Sequence, residues 1–254
     1  MVLRTLLLTA LVVLAVLLAA FAVGLRTGRH RGVDVAWGLA FAAVGLTACA
    51  LSGGRGLLST VLVVLWGGRL SAHLWWRARG AGEDPRYAAM LAGGGLLTVL
   101  TKVYLLQAVL VWCVSLPVQA ASWLPAPPLG LAVAGTALWA LGLVFEAVGD
   151  AQLARFQADP AHRGQLLTTG LRAWTRYPNY FGDACVWWGL TLLVLGTPAG
   201  WAYLPAPLLM TWLLAFGSGR PLLERRLRAT RPEWAAYAAR TSPFIPWPPR
   251  RRGS

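Results

Sequence analysis

Three short stretches of this 254-residue chain gather the side chains able to hold a charged ligand or move a proton. In the first, Phe145 to Phe156, Glu146 and Asp150 are four residues apart, so a helix puts both carboxylates on one face, with Gln152 and Arg155 just beyond. The second runs from Gly170 to Asp183 and holds Arg172, Trp174, Arg176, Tyr177, Pro178, Asn179, Tyr180 and Asp183. Pro178 imposes an extended or turn entry, and the helix that starts at Asn179 offers free N–H groups suited to an anion or a nucleotide. The third is the tail from Arg220, where Leu223, Leu227, Trp234 and Tyr237 are spaced as the apolar stripe of an amphipathic helix pair before a proline-rich end. Each has a plainer reading: a helix-end ion pair, a belt of interfacial aromatics and arginines, or a membrane anchor.

The elements that must position these clusters are set by composition. Apolar residues make up 57% and charged residues 13%, and the mean hydropathy is positive, which excludes a water-soluble domain of this size. A helix needs ~20 mostly apolar residues to cross the ~30 Å hydrocarbon core. Such runs fall at about 6–25, 33–51, 57–76, 96–116 and 129–149, with shorter ones at about 182–195 and 201–217 separated by the helix breakers Gly196 to Gly200. The expected fold is therefore all-α and polytopic, with seven transmembrane helices and an amphipathic tail. The first run is too long for a signal-peptide core and ends on Arg26, Arg29 and Arg31, so it reads as a retained helix.

Seven spans place nineteen of the twenty-three Lys and Arg residues on one side. By the positive-inside rule the N-terminus is outside, and the C-terminal tail is cytoplasmic, in an inner (plasma) membrane. All nine acids fall at that same inner face, which charge orientation does not require, so a polar site is expected there. The net charge of +14 suits anionic membrane lipid as a partner and leaves arginines to grip a phosphorylated cofactor. Nucleic acid is not expected, since no recognition motif accompanies the basic residues. Dinucleotide, phosphate-loop, zinc-protease and nucleophile-elbow motifs are missing, Gly93 to Gly95 reads as a loop hinge, and Cys49, Cys113 and Cys185 lack metal-ligand spacing.

The second cluster, Arg-Tyr-Pro-Asn-Tyr-Phe-Gly-Asp at 176–183, resembles the Pro-Asn-Tyr-Phe-Gly-Glu element of the DUF1295 branch of the steroid 5α-reductase superfamily. The likeness extends through Asp34 to Gly38, Trp66 to Leu70, Gly82 to Tyr87 and Thr241 to Pro246, most of the chain. It implies one membrane domain over 1–254, with the helices of about 6–116 on the substrate side and NADPH bound by 129–254 from the cytoplasmic half. The implied cofactor residues are Glu146, Asp150, Gln152, Arg172, Arg176, Tyr177, Asn179, Tyr180, Asp183, Arg225, Arg226 and Tyr237, the arginines taking the phosphates. Asp183 is shorter than the family's usual Glu, Tyr177 stands where His is common, and Glu146 stands where animal steroid reductases carry Asn. The implied reaction moves hydride from NADPH to the β-carbon of an α,β-unsaturated carbonyl in a lipophilic small molecule. The carbonyl oxygen then needs an acid or donor, for which Tyr87, Glu83, Asp84 and His73 are the catalytic candidates. No metal is implied. A membrane methyltransferase using S-adenosylmethionine and a non-enzymatic lipid-binding protein are the rival readings.

Overall fold

The computed structural model describes residues 1–249 except 81, 84 and 218, and the side chains of 85, 86 and 88–92 also lie outside the described set. It is 77% helix, without strands among the described residues. In chain order the helices are α1 (Val2–Thr27), α2 (Gly32–Leu51), α3 (Leu57–Ala78), α4 (Pro85–Val99), α5 (Leu106–Val114), α6 (Leu116–Ala120), α7 (Leu129–Ala158), α8 (Leu171–Trp174), α9 (Pro178–Leu192), α10 (Pro205–Ala215), α11 (Arg220–Thr230) and α12 (Trp234–Arg240). A π-helical turn, Leu100–Leu105, joins α4 to α5.

Among the described residues, six helical stretches are long and apolar enough to cross a membrane: Val2–Thr27, Gly32–Leu51, Leu57–Ala78, Gly93–Val114, Leu129–Ala158 and Pro198–Thr230. The expected sixth of seven spans is a helix, α9, but has 15 residues. At 1.5 Å per residue that is about 22 Å, short of the hydrocarbon thickness. Helix α1 shows the inverted burial that lipid demands. Thr5 and Thr9 are buried, while Leu3, Leu7 and Leu11 are exposed.

The chain divides into two compact units, Met1–Ala132 with Leu190–Ala206, and Val133–Gly189 with Pro207–Ser254. In the first, α2 and α3 pack so closely that a Cβ added to Gly38 would meet the backbone of Gly67, and one added to Gly45 would meet Val63 and Thr60. Phe41 and Trp66 fill the adjoining core edge to face. Across from them, Thr9 Oγ1 donates to Gln119 Oε1 at 2.7 Å and the Trp112 indole donates to the Leu6 carbonyl at 3.1 Å. These bonds satisfy polar groups that lipid could not. The Gly93 to Gly95 segment is helical rather than a loop, but it breaks at Gly95, whose φ of 65° only glycine adopts without strain.

The second unit uses the same device. Helices α7 and α9 cross at three places, with Gly135 against Gly189, Gly142 against Gly182, and Gly149 against Pro178. The glycines recur every seven residues on both helices, and α7 and α9 run antiparallel. Such small-residue seams bring two backbones together in the absence of a hydrophobic driving force. At 30 residues α7 is about 45 Å long. That exceeds the ~30 Å core by roughly ten residues, so its charged end can reach beyond the hydrocarbon.

Candidate functional site

Glu146 and Asp150 leave α7 one turn apart, 3% and 8% exposed. The α7–α9 seam brings α9 against them: a Cβ on Gly182 would touch the backbone nitrogen and Cβ of Glu146, and one on Gly149 would lie 3.6 Å from the Asn179 nitrogen. Asp183, one turn after Asn179 on α9, is also buried. The expected Glu146, Asp150, Asn179 and Asp183 therefore all stand along this one seam. The Asn179 Oδ1 is buried without a hydrogen-bond partner in the protein.

Gln152 does something more local. Its Oε1 accepts the Leu171 N–H at 3.0 Å, satisfying the start of α8 after Gly170, whose φ is 61°. That turn sets the direction of Arg172. Burial lowers the pKa of the Arg172 guanidinium, with the surrounding tyrosines and Asp150 acting in the opposite direction. Its Nη1 donates to the Arg176 carbonyl at 3.0 Å, while its Nε is buried without a partner. The Tyr237 hydroxyl closes the loop from the other side, donating to the Arg172 carbonyl at 2.7 Å. Burial pushes the Tyr237 phenol up to about 12, against the pull of Arg172, Arg176 and Arg240.

Tyr177, Trp234 and Tyr237 form a buried cluster with Tyr180 and Leu227 packed against it. Tyr177 and Tyr180 stack at 5.4 Å with an 18° tilt. The Tyr177 hydroxyl is buried without a partner, and burial, then Glu224, raises its pKa above the ordinary tyrosine range. The tail helices thus form the expected pair, and Leu227, Trp234 and Tyr237 turn inward. Leu223, expected on the same stripe, is 40% exposed, and the inward position beside it on α11 is held by Glu224.

Beyond α12 the chain folds back along 174–176. Thr175 pairs with Ser242 in a parallel bridge, the Arg176 N–H donates to the Ser242 carbonyl at 3.0 Å, the Trp247 N–H donates to the Trp174 carbonyl at 3.0 Å, and Thr175 Oγ1 donates to the Phe244 carbonyl at 2.7 Å. Arg176 Nη1 donates to Glu224 Oε1 at 2.7 Å, with both side chains about nine-tenths buried. Glu224 also draws Arg220 and Arg228, each at 3.8 Å. Arg225 and Arg226, expected to bind phosphate, are exposed. The inward face of α11 belongs to Glu224, which the sequence reading overlooked in favour of the arginines around it. The signal was available in its i,i+4 spacing to Arg220 and Arg228.

Three of the four acid candidates, Glu83, Tyr87 and His73, lie in the first unit. Glu83 accepts the backbone N–H groups of His30 and of Arg31, the latter at 3.1 Å, so it caps the turn into α2. Arg31 Nη1 returns a bond to the Gly82 carbonyl at 2.7 Å. Tyr87 is buried and its hydroxyl donates to Asp34 Oδ1 at 2.8 Å. His73 is half-buried on α3 with its ring near Trp76, and Asp84 lies outside the described residues. A buried His30 within 3.1 Å of the Tyr104 hydroxyl adds a polar pair that the sequence did not single out.

These features, a helical membrane chain with polar clusters flanking Pro-Asn-Tyr-Phe-Gly-Asp, agree with the family model described as "Protein of unknown function (DUF1295)", which matches residues 20–241. The chain belongs to the DUF1295 family. Membership suggests a steroid-reductase-like membrane protein. No curated protein and no solved structure matches this DUF1295 chain.

Proposed function

We propose that this DUF1295 protein is an NADPH-dependent membrane reductase that saturates a C=C bond conjugated to a carbonyl in a steroid-like or other lipophilic substrate. The observation that carries this reading is a set of buried polar atoms without partners in the protein, gathered within a few residues: Asn179 Oδ1, the Tyr177 hydroxyl, and the Nε atoms of Arg172 and Arg176. Each such atom costs about 1–3 kcal/mol unless a ligand or water satisfies it. An amide acceptor calls for an N–H donor, of the kind that adenine and nicotinamide amide groups carry. Guanidinium donors call for anionic oxygen, and phosphate suits their geometry. The residues present thus fit a phosphorylated nicotinamide nucleotide.

When bound, that cofactor supplies the hydride. Asn179 would orient it, Arg172 and Arg176 would hold its phosphates, and Tyr177, Tyr180 and Tyr237 would give it an apolar wall. Glu146, Asp150 and Asp183 would complete the polar lining. The carbonyl would need an acid or donor, for which Tyr87, Glu83, Asp84 and His73 are the candidates; both Glu83 oxygens accept backbone N–H groups and the Tyr87 hydroxyl donates to Asp34. The same reading keeps seven spans, with α9 as a short sixth accommodated by local thinning of the bilayer, the N-terminus outside and the tail cytoplasmic.

The test is turnover. Protein purified in a neutral detergent is incubated with NADPH and a panel of lipophilic α,β-unsaturated ketones, and products are read by mass spectrometry. A gain of two hydrogens that is lost in Asp150→Asn and Asn179→Ala supports the proposal. Methyl transfer from S-adenosylmethionine, with no enone reduced, defeats it.

A further inference from the structure

Between the end of α12 and the returning tail lies a cavity of about 230 Å³. At ~30 Å³ per water it has room for a group the size of a hydrated phosphate. Its polar lining is Arg176, Arg240, Thr241 and Ser242, its apolar lining includes Trp247 and Pro248, and none of its lining residues is acidic. Arg176 is the buried member, 11% exposed, with one nitrogen on Glu224 and its Nε unpartnered. Arg240 is exposed at the opening. The surroundings are unlike those of a site for a water-soluble anion. Trp247 is 69% exposed, Ile245 65% and Trp174 49%, and the backbone bond from Trp247 to Trp174 brings the main chains of the two residues side by side.

Exposed tryptophans beside a cationic recess suit the boundary where headgroups meet acyl chains, because indoles settle at that level and guanidinium groups bind phosphate oxygens. Free phosphate would use the recess and leave the apolar rim in water. We propose that this cavity binds the phosphate of an anionic phospholipid headgroup, with Arg240 as its principal ligand and Trp247, Trp174 and Ile245 resting among the first methylenes. Thr241 and Ser242 line the recess with hydroxyls, while Arg176 at its inner wall stays paired with Glu224. The tail thereby ties the 174–176 segment to the membrane surface. In sequence, Arg250, Arg251 and Arg252 follow directly and favour the same anionic surface.

The test uses the full chain in neutral detergent, with native mass spectrometry and thermal melting as readouts. Phosphatidylglycerol, phosphatidylcholine and inorganic phosphate are added separately to the wild type, Arg240→Ala, Arg240→Lys and Trp247→Ala. Saturable phosphatidylglycerol binding, about ten-fold or more tighter than phosphatidylcholine, is expected for the wild type. Arg240→Ala should bring the two lipids level, Arg240→Lys should fall between, and Trp247→Ala should weaken phosphatidylglycerol while leaving the lipid-free melt unchanged. Equal binding of both lipids by the wild type, or unaltered selectivity in both Arg240→Ala and Trp247→Ala, overturns the proposal. So does displacement of phosphatidylglycerol by millimolar inorganic phosphate, which would assign the recess to a free anion. Should Arg240→Ala fail to fold, Arg240→Lys and Trp247→Ala decide the matter alone.

Discussion

Replacing Gly182 by alanine should loosen the whole candidate site through a single methyl group. The new Cβ would stand 2.5 Å from the Gly142 carbonyl oxygen, 2.8 Å from the Glu146 nitrogen and 3.1 Å from the Glu146 Cβ. All three are backbone or Cβ atoms and cannot swing aside as a side-chain tip can. Restoring ordinary contact therefore moves α7 and α9 apart by roughly 1 Å, and overpacking of this kind costs about 1–3 kcal/mol. Because the same seam sets Asn179 and Asp183 against Glu146 and Asp150, a 1 Å displacement is expected to reduce turnover by about 10²-fold. Gly130→Ala is the control. It lies in the same helix α7, nothing stands within 4 Å of its added Cβ, and alanine there should stabilise the helix by up to about 1 kcal/mol. Unfolding by SDS titration, paired with cofactor binding, reads both variants. If Gly182→Ala unfolds at the same point as Gly130→Ala and binds cofactor normally, the glycine seam does not position the site.

Asn179→Ala removes an acceptor that bonds nothing in the protein, so the cofactor-free protein should unfold in detergent no more easily than the wild type while NADPH affinity drops about ten-fold or more. Glu224→Gln leaves Arg176, Arg220 and Arg228 without their shared carboxylate and should cost about 1–3 kcal/mol. A double-mutant cycle with Arg176→Gln should show coupling between the two, and strict additivity would remove Glu224 from its role. The Tyr237 phenol is raised from 10.0 to about 12 on folding, so the folded state holds the proton more tightly than the unfolded chain. Its contribution is whole below pH 10 and is lost as pH rises from 10 towards 12, by up to about 2–3 kcal/mol. Tyr237→Phe should flatten that part of the alkaline unfolding profile, and an unchanged slope would argue against a buried phenol.

Hydropathy revealed the helices, because exclusion from water acts on runs of sequence and leaves its mark locally. The i,i+4 spacing of Glu146 and Asp150 likewise predicted a shared face, and both are buried as a pair on α7. What escaped was long-range. Glu83 looked like a free acid until its loop closed onto the N–H groups of His30 and Arg31, some fifty residues earlier. The tail read as an amphipathic helix pair, anchor and binding element alike, since nothing local announces that Ser242 and Trp247 will bond to Arg176 and Trp174. The seven-residue recurrence of Gly135, Gly142 and Gly149 was present in the sequence. It is invisible to a search for apolar periodicity, because glycine in a lipid-borne seam works by being small. Arg225 and Arg226 were implied by the family resemblance and their guanidinium chemistry; both are exposed, and a neighbouring carboxylate, Glu224, holds the inward position.

The central claim is that Asp150, Asn179, Arg172 and Arg176 hold a phosphorylated nicotinamide cofactor. Titration of the detergent-purified protein with NADPH, NADH and S-adenosylmethionine, followed by quenching of tryptophan fluorescence, tests it most directly. The account predicts saturable quenching by NADPH, about ten-fold or more weaker for NADH, which lacks one phosphate for the arginines, and loss of the response in Asn179→Ala. Saturable binding of S-adenosylmethionine with no response to NADPH would contradict it.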